Sequence, residues 1–124
     1  MKQNEEVVNI FHTNGTKLLE ARFVNNVLDG FYATWYEDGM QEMEKHYVNG
    51  KKSGSQLYWY MNGRKRLEQH YEDGKKVGTQ TFYSMSGTKN KERHYDGNRV
   101  TTCLFSGSDF SVLKTQYLKK KKVA

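Results

Sequence analysis

The sequence predicts an all-β fold, an elongated antiparallel β-meander of 24-residue hairpin repeats with about ten strands. Three observations carry that expectation. Gly15, Gly39, Gly63 and Gly87 stand 24 residues apart, as do Gly30, Gly54 and Gly78, and Gly50 with Gly74; Gly97 joins the last column after one deletion. Ten of the eleven glycines thus fall in repeat columns, and glycine supplies the positive φ that tight turns need, so a glycine period is a turn period. Between the glycines lie short β-branched and aromatic stretches such as Thr79–Tyr83, bounded by Asn-Gly or Asp-Gly pairs that mark hairpins. Finally, no segment sustains a 3.6-residue apolar period, and glycine recurs too often for helices.

Each unit then holds two strands. The spacing places them at 5–11, 17–24, 31–36, 41–48, 55–60, 65–72, 79–84, 89–95, 100–105 and 110–118. The first completes the pairing of the first unit. The repeat units fall at about 11–34, 35–58, 59–82 and 83–105, with 106–118 as a degenerate C-terminal cap, because terminal units of repeat arrays are atypical. One domain, 1–118, is followed by a basic tail, 119–124. Non-glycine columns keep the same period: Glu20, Glu44, Glu68 and Glu92; Phe23, Tyr47, Tyr71 and Tyr95; Phe11, Trp35, Trp59 and Tyr83.

Composition bounds the classes of function. At 124 residues, 35% hydrophobic and mean hydropathy −0.95, the chain has no large apolar core. Aromatics at 14% argue against disorder. No run of ~18 apolar residues is present to span a membrane. Met1–Ile10 lacks the basic start and apolar stretch of a secretory signal. Cys103, the one cysteine, suits a reducing compartment, so a cytoplasmic location is expected.

Tyr58-Trp59-Tyr60-Met61-Asn62-Gly63, then Leu67-Glu68, then Tyr71-Glu72-Asp73-Gly74-Lys75-Lys76-Val77-Gly78 resembles the MORN-repeat variant. The resemblance covers about residues 11–96. It departs from the pattern at Val24-Asn25-Asn26-Val27, which lacks the second glycine, and at Tyr95-Asp96-Gly97, which is one residue short. Many bacterial proteins with this repeat carry a YwqK-type antitoxin label, and eukaryotic relatives serve as docking, dimerisation and lipid-contact modules. The resemblance therefore implies a partner-binding sheet, with a host- or phage-encoded toxin as one partner class.

Strand parity predicts that Leu19, Phe23, Met43, Tyr47, Leu67 and Tyr71 share one apolar face with Phe11, Trp35, Trp59 and Tyr83, leaving Tyr32, Tyr36, Tyr58, Tyr60 and Phe82 on the other. Two aromatic faces mean either cross-strand packing on a thin sheet or a binding surface. His46, His70 and His94 form one column, but equivalent positions recur every ~9.6 Å, too far for one metal ion; no metal site and no cofactor are expected. The Glu column repeats too regularly for a catalytic carboxylate pair, and a turn hydrogen bond or an ion pair with a neighbouring Lys or Arg is expected instead. Cys103 reads as a packed residue. No phosphate-binding loop, nucleophile elbow or dinucleotide fingerprint is present, so no catalytic residue is assigned and the chain reads as non-enzymatic.

Charge is unevenly spread. Residues 1–50 hold four Lys and Arg against eight Asp and Glu, net −4; residues 51–124 hold sixteen against six, net +10. One end of the ribbon should be acidic and the other basic, which favours self-association through the unpaired sheet ends. Basic residues interleave with aromatics between Lys51 and Phe82, which suits anionic partners, while the alternative is a solvated surface with lysines guarding the sheet. Tyr36, Tyr58, Tyr60, Arg66, His70 and Phe82 are the expected contacts for an acidic protein surface. For a nucleotide, signalling dinucleotide or nucleic acid, which the chain would bind or sequester, Tyr58, Tyr60 and Phe82 would stack, and Arg64, Arg66, Lys75 and Lys76 would meet phosphates.

Overall fold

Turn chemistry organises the molecule. In the computed structural model, the backbone is described for residues 3–106 and 111–119, and side chains for 3–105. Val24-Asn25-Asn26-Val27, Val48-Asn49-Gly50-Lys51 and Glu72-Asp73-Gly74-Lys75 each form a two-residue hairpin with positive φ at both central positions. That geometry matches the right-handed strand twist. The missing glycine of the first turn is harmless because Asn26 accepts φ 65°. At the opposite rim the strands are joined by five-residue loops. There Gly39 N–H donates to Tyr36 O and Gly63 N–H to Tyr60 O, both at 3.0 Å.

The result is one open antiparallel sheet with the strands in sequence order: β1 Glu5–Phe11, β2 Lys17–Val24, β3 Val27–Trp35, β4 Gln41–Val48, β5 Lys51–Lys52, β6 Gly54–Trp59, β7 Lys65–Glu72, β8 Lys75–Lys76, β9 Gly78–Tyr83, β10 Lys89–Asp96, β11 Arg99–Ser106 and β12 Ser111–Lys119. The elongated meander expected from the glycine period is the observed fold. Twelve strands replace ten, because β5 and β8 are short pieces split off from β6 and β9. β3 begins at Val27, four residues before the expected start, since pairing resumes directly after the turn. The last strand occupies the expected cap region, while residues 120–124 of the basic tail lie outside the described residues. Among the described residues there is no helix long and apolar enough to cross a membrane.

The splits have a cause. Between the pairs Tyr47–Lys52 and Glu44–Leu57, two residues of β4 face four of the next strand. The same mismatch separates Tyr71–Lys76 from Glu68–Thr81. Gly54 (φ 82°) and Gly78 (φ 67°) sit in these bulges, where an L side chain would be strained. Across the bulge the His46 and His70 carbonyls accept from Ser53 and Val77 N–H at 2.9 Å, but the His46 and His70 N–H groups meet no backbone acceptor, and glutamine fills the gap. His46 N–H donates to Gln56 Oε1 at 3.2 Å, and Gln56 Nε2 donates to the carbonyls of His46, Ser53 and Gly54. Gln80 repeats this with His70 and Val77. Gln56 and Gln80 are 0% and 1% exposed, the largest fully buried side chains among the described residues. The first unit solves the same problem differently: Tyr32 stands where Gln would, and Arg22 donates to the Asp29 carbonyl at 3.0 Å. Between Lys91–Leu104 and Asp96–Arg99 the pairing is regular and no bulge occurs, so this unit is two residues shorter there than the one before it.

Successive units are laced along the five-residue-loop rim. Tyr36 and Tyr60 hydroxyls donate to the carbonyls of Trp59 and Tyr83, each at 2.6 Å, and Asn62 Nδ2 donates to Met85 O at 2.9 Å. A net hydrogen bond is worth ~0.5–1.5 kcal/mol, so Tyr60→Phe should lower the melting temperature by about 5 °C on the scale of ~4–8 °C per kcal/mol for a domain of this size. Differential scanning calorimetry measures it.

Candidate binding surface

Residues paired across antiparallel strands point to the same side of a sheet. One unbroken row therefore runs Leu19–Thr34–Met43–Tyr58–Leu67–Phe82–Lys91. A row two residues further along contains Tyr32, Lys45, Gln56, Gln69, Gln80 and Arg93, and a third contains Tyr47, Lys52, Tyr71, Lys76 and Tyr95. We call this the tyrosine face.

The opposite row runs Glu20–Ala33–Glu44–Leu57–Glu68–Thr81–Glu92–Cys103. It defines the glutamate face. The expected assignment of aromatics is thereby corrected. Tyr58 and Phe82 lie on the same face as Leu67, because the five-residue loops set Tyr58, not Trp59, against Leu67. Trp59 and Tyr83 instead pair with Lys65 and Lys89 beyond the bulges at the loop rim. Trp35 goes with them: Lys17 Nζ stands 5.5 Å from its ring centroid.

The two faces treat their cations in opposite ways. On the glutamate face the lysines that follow the five-residue loops are neutralised: Lys17–Glu20 at 2.5 Å, Lys65–Glu68 at 2.9 Å and Lys89–Glu92 at 3.8 Å. The histidine column joins the same carboxylates, with His46, His70 and His94 at 3.6, 3.4 and 3.9 Å from Glu44, Glu68 and Glu92. Glu20, Glu68 and Glu92 thus take the lysine partner expected of the column, while Glu44 meets only His46. The hydrogen bond from Lys65 holds the Glu68 carboxyl below its ordinary value, against the opposing effect of burial. A depressed folded pKa stabilises above the unfolded value and is lost as pH falls through the folded one. Stability of the wild type should therefore decline below about pH 4.5, and Glu68→Gln should flatten that part of the profile in urea titrations at stepped pH.

On the tyrosine face the cations lie on rings. Lys45 stands 5.7 Å from the Tyr32 centroid and 5.6 Å from that of Tyr58, which Arg66 also covers at 5.3 Å. Lys52 covers Tyr71 at 5.0 Å, Lys76 covers Tyr95 at 5.7 Å, and Phe82 carries both Lys91 at 4.3 Å and Arg93 at 5.8 Å. None of these six cations has an ion-pair partner among the described residues, and the three central rows from Thr34 to Arg93 contain no carboxylate. Glu42, at their margin, accepts from Thr34 Oγ1 at 2.9 Å. Burial, reinforced by the charge of Lys52, lowers the Lys45 pKa. Burial raises the hydroxyl pKa of Tyr58 and Tyr71, so both stay neutral donors.

The candidate contacts separate accordingly. Tyr58, Arg66, Lys76 and Phe82 belong to the tyrosine face. The rings of Tyr60 and Phe82 line one shallow depression of about 240 Å³ with Arg66, Leu67 and Lys91. Tyr36 and Tyr60 spend their hydroxyls on the next unit. His70 is on the glutamate face, 3.3 Å from Ser55 Oγ. Arg64 bonds the Ser86 carbonyl at the loop rim, and Lys75 sits opposite Glu72 at the hairpin rim. Sequence reasoning passed over Lys45, Lys91 and Arg93. Their columns read Lys45–Gln69–Arg93 and Met43–Leu67–Lys91, so no constant residue type flags them. Among the described residues no cluster of His, Cys, Asp and Glu could hold a metal ion.

Fold and surface together define a class: an open repeat sheet with one ion-paired face and one cationic aromatic face. No family model and no curated protein matches the chain.

Proposed function

We propose that this chain is a MORN-variant binding protein without catalytic function, antitoxin- or inhibitor-like, that occludes an acidic partner protein through its tyrosine face. One observation carries the reading. Six cations sit on rings with no ion-pair partner among the described residues, although the same sheet pairs Lys17, Lys65 and Lys89 on its other face. Like charges held together without neutralisation destabilise the free protein, and an anion arriving from outside relieves them. Tyrosine and arginine on a broad, preformed surface are the side chains that dominate protein interfaces.

The test is affinity capture from the native host with wild type and with the triple variant Arg66→Gln, Lys91→Gln, Arg93→Gln as matched baits. The expected result is an acidic protein retained by the wild type alone and released by salt. Retention by both baits overturns the reading.

A second reading has its own observation: Arg66 and Lys91 flank the depression lined by Tyr60 and Phe82. Rings beside cations also suit a stacked base with its phosphate, so the alternative ligand is a nucleotide or single-stranded nucleic acid. Fluorescence anisotropy with a labelled oligonucleotide separates the two. Binding that the triple variant abolishes favours nucleic acid, and a flat titration removes it.

A further inference from the structure

β1 ends the sheet, paired only with β2. The Asn4 carbonyl accepts from Asn25 N–H at 2.8 Å, on the β2 side. Backbone direction alternates along a strand, so the N–H and C=O groups of Glu6, Val8 and Ile10 also point to β2. Those of Glu5, Val7 and Asn9 point outward, where no described strand meets them. The side chains are open as well: Val7, Ile10 and Phe11 are 49%, 46% and 56% exposed. Sheet edges are usually guarded by lysine, proline or a covering segment. Between Val7 and Phe11 there is no charged residue and no proline, and the strand's one bulge falls at its far end, between Ile10 and Phe11.

We propose that β1 is a dimerisation edge, pairing antiparallel with β1 of a second copy about a two-fold axis at Val8. Backbone direction selects the register. Full overlap sets Val7 against Asn9 of the second copy, so that their outward groups exchange hydrogen bonds, and sets Val8 against Val8 in the close, non-bonded position between them. A shift of one residue loses those bonds. Charge selects it too. Glu5 and Glu6 then lie at opposite ends of the strand pair, with the two Glu6 residues four positions apart, about 14 Å at ~3.4 Å per residue. That exceeds the ~8 Å screening length at physiological salt. Sliding two positions toward the N-terminus halves the separation.

A two-fold axis normal to the sheet keeps each face on its own side. The dimer is thus a single longer sheet whose two tyrosine faces look the same way, whatever they bind. An isologous pair also closes, whereas the opposite charge of the two sheet ends favours head-to-tail contact and open chains. One strand pair buries less than a standard interface, so the dimer is concentration-dependent.

Light scattering across micromolar to submillimolar protein should show monomer converting to dimer and nothing larger. Val8→Lys and Val8→Glu each put like charges together and should weaken self-association at least tenfold; mixed, they should recover a heterodimer. In a Cys103→Ser background, Val8→Cys should cross-link on oxidation, since the close pair sets Cα atoms ~4.5 Å apart, within disulfide reach of ~4.4–6.8 Å. Val7→Cys, facing Asn9, should not. Species growing beyond the dimer, a monomer at every concentration, or no cross-link at Val8→Cys overturns the proposal.

Discussion

Replacing both buried glutamines, Gln56→Leu with Gln80→Leu, removes a large share of the folding stability and lowers the melting temperature by about 20 °C on the scale of ~4–8 °C per kcal/mol. Leucine keeps the volume but offers no acceptor to the His46 and His70 N–H groups, which lie 3.2 and 3.1 Å from the glutamine Oε1 atoms. A buried donor left without a partner costs ~1–3 kcal/mol, and the carbonyls served by each Nε2 lose a donor as well. One substitution should lower the melting temperature by about 10 °C on the scale of ~4–8 °C per kcal/mol. The two sites are one unit apart, ~9.6 Å, so their effects add, to ~2–6 kcal/mol against a total stability of ~5–15 kcal/mol. Gln69→Leu is the control. Gln69 is also buried, but it faces Gln56 in regular pairing, and its one side-chain bond is a 3.5 Å contact from Tyr71 Oη. Its loss should cost clearly less. Thermal unfolding by circular dichroism measures all three, and equal losses at 56 and 69 would show that the bulge staple is not what matters.

The triple variant Arg66→Gln, Lys91→Gln, Arg93→Gln separates binding from folding. It should weaken partner affinity at least a hundredfold, because two or three charge-assisted contacts are removed at ~1.5–3 kcal/mol each. Its melting temperature should stay level or rise at low salt. These cations have no ion-pair partner to lose among the described residues, and Lys91 and Arg93 share one ring, where they repel each other. The rise should vanish at 1 M salt, where charges more than ~3 Å apart are screened. Removing a glutamate-face carboxylate does the reverse, since Glu68 holds both Lys65 and His70. Calorimetry at two salt concentrations, with isothermal titration against the captured partner, reads both halves. A variant that binds normally would move the interface off the tyrosine face.

Much of this architecture was legible in the residues. The glycine columns mark the turns, because positive φ is nearly reserved to glycine and asparagine, and the strands follow from what lies between. Pairing of the Glu column with nearby cations was legible for a similar local reason: Lys65, Glu68 and His70 lie within six residues of one another. The allocation of side chains to faces was not. Parity counted along the chain placed Trp59 with Leu67, but the bulge at the loop rim consumes an extra residue and exchanges Trp59 for Tyr58. A one-residue slip inverts a whole strand, so any uncounted bulge reverses the reading.

The sequence by itself thus determined the meander, its period and its turns, all consequences of conformational preference within a few residues. Only the tertiary structure decided that Gln56 and Gln80 replace missing backbone partners, and that cations from β4, β5, β7, β8 and β10 gather on one side. Those outcomes depend on cross-strand register, which is set by bulges and loop lengths acting between strands that no local window contains together.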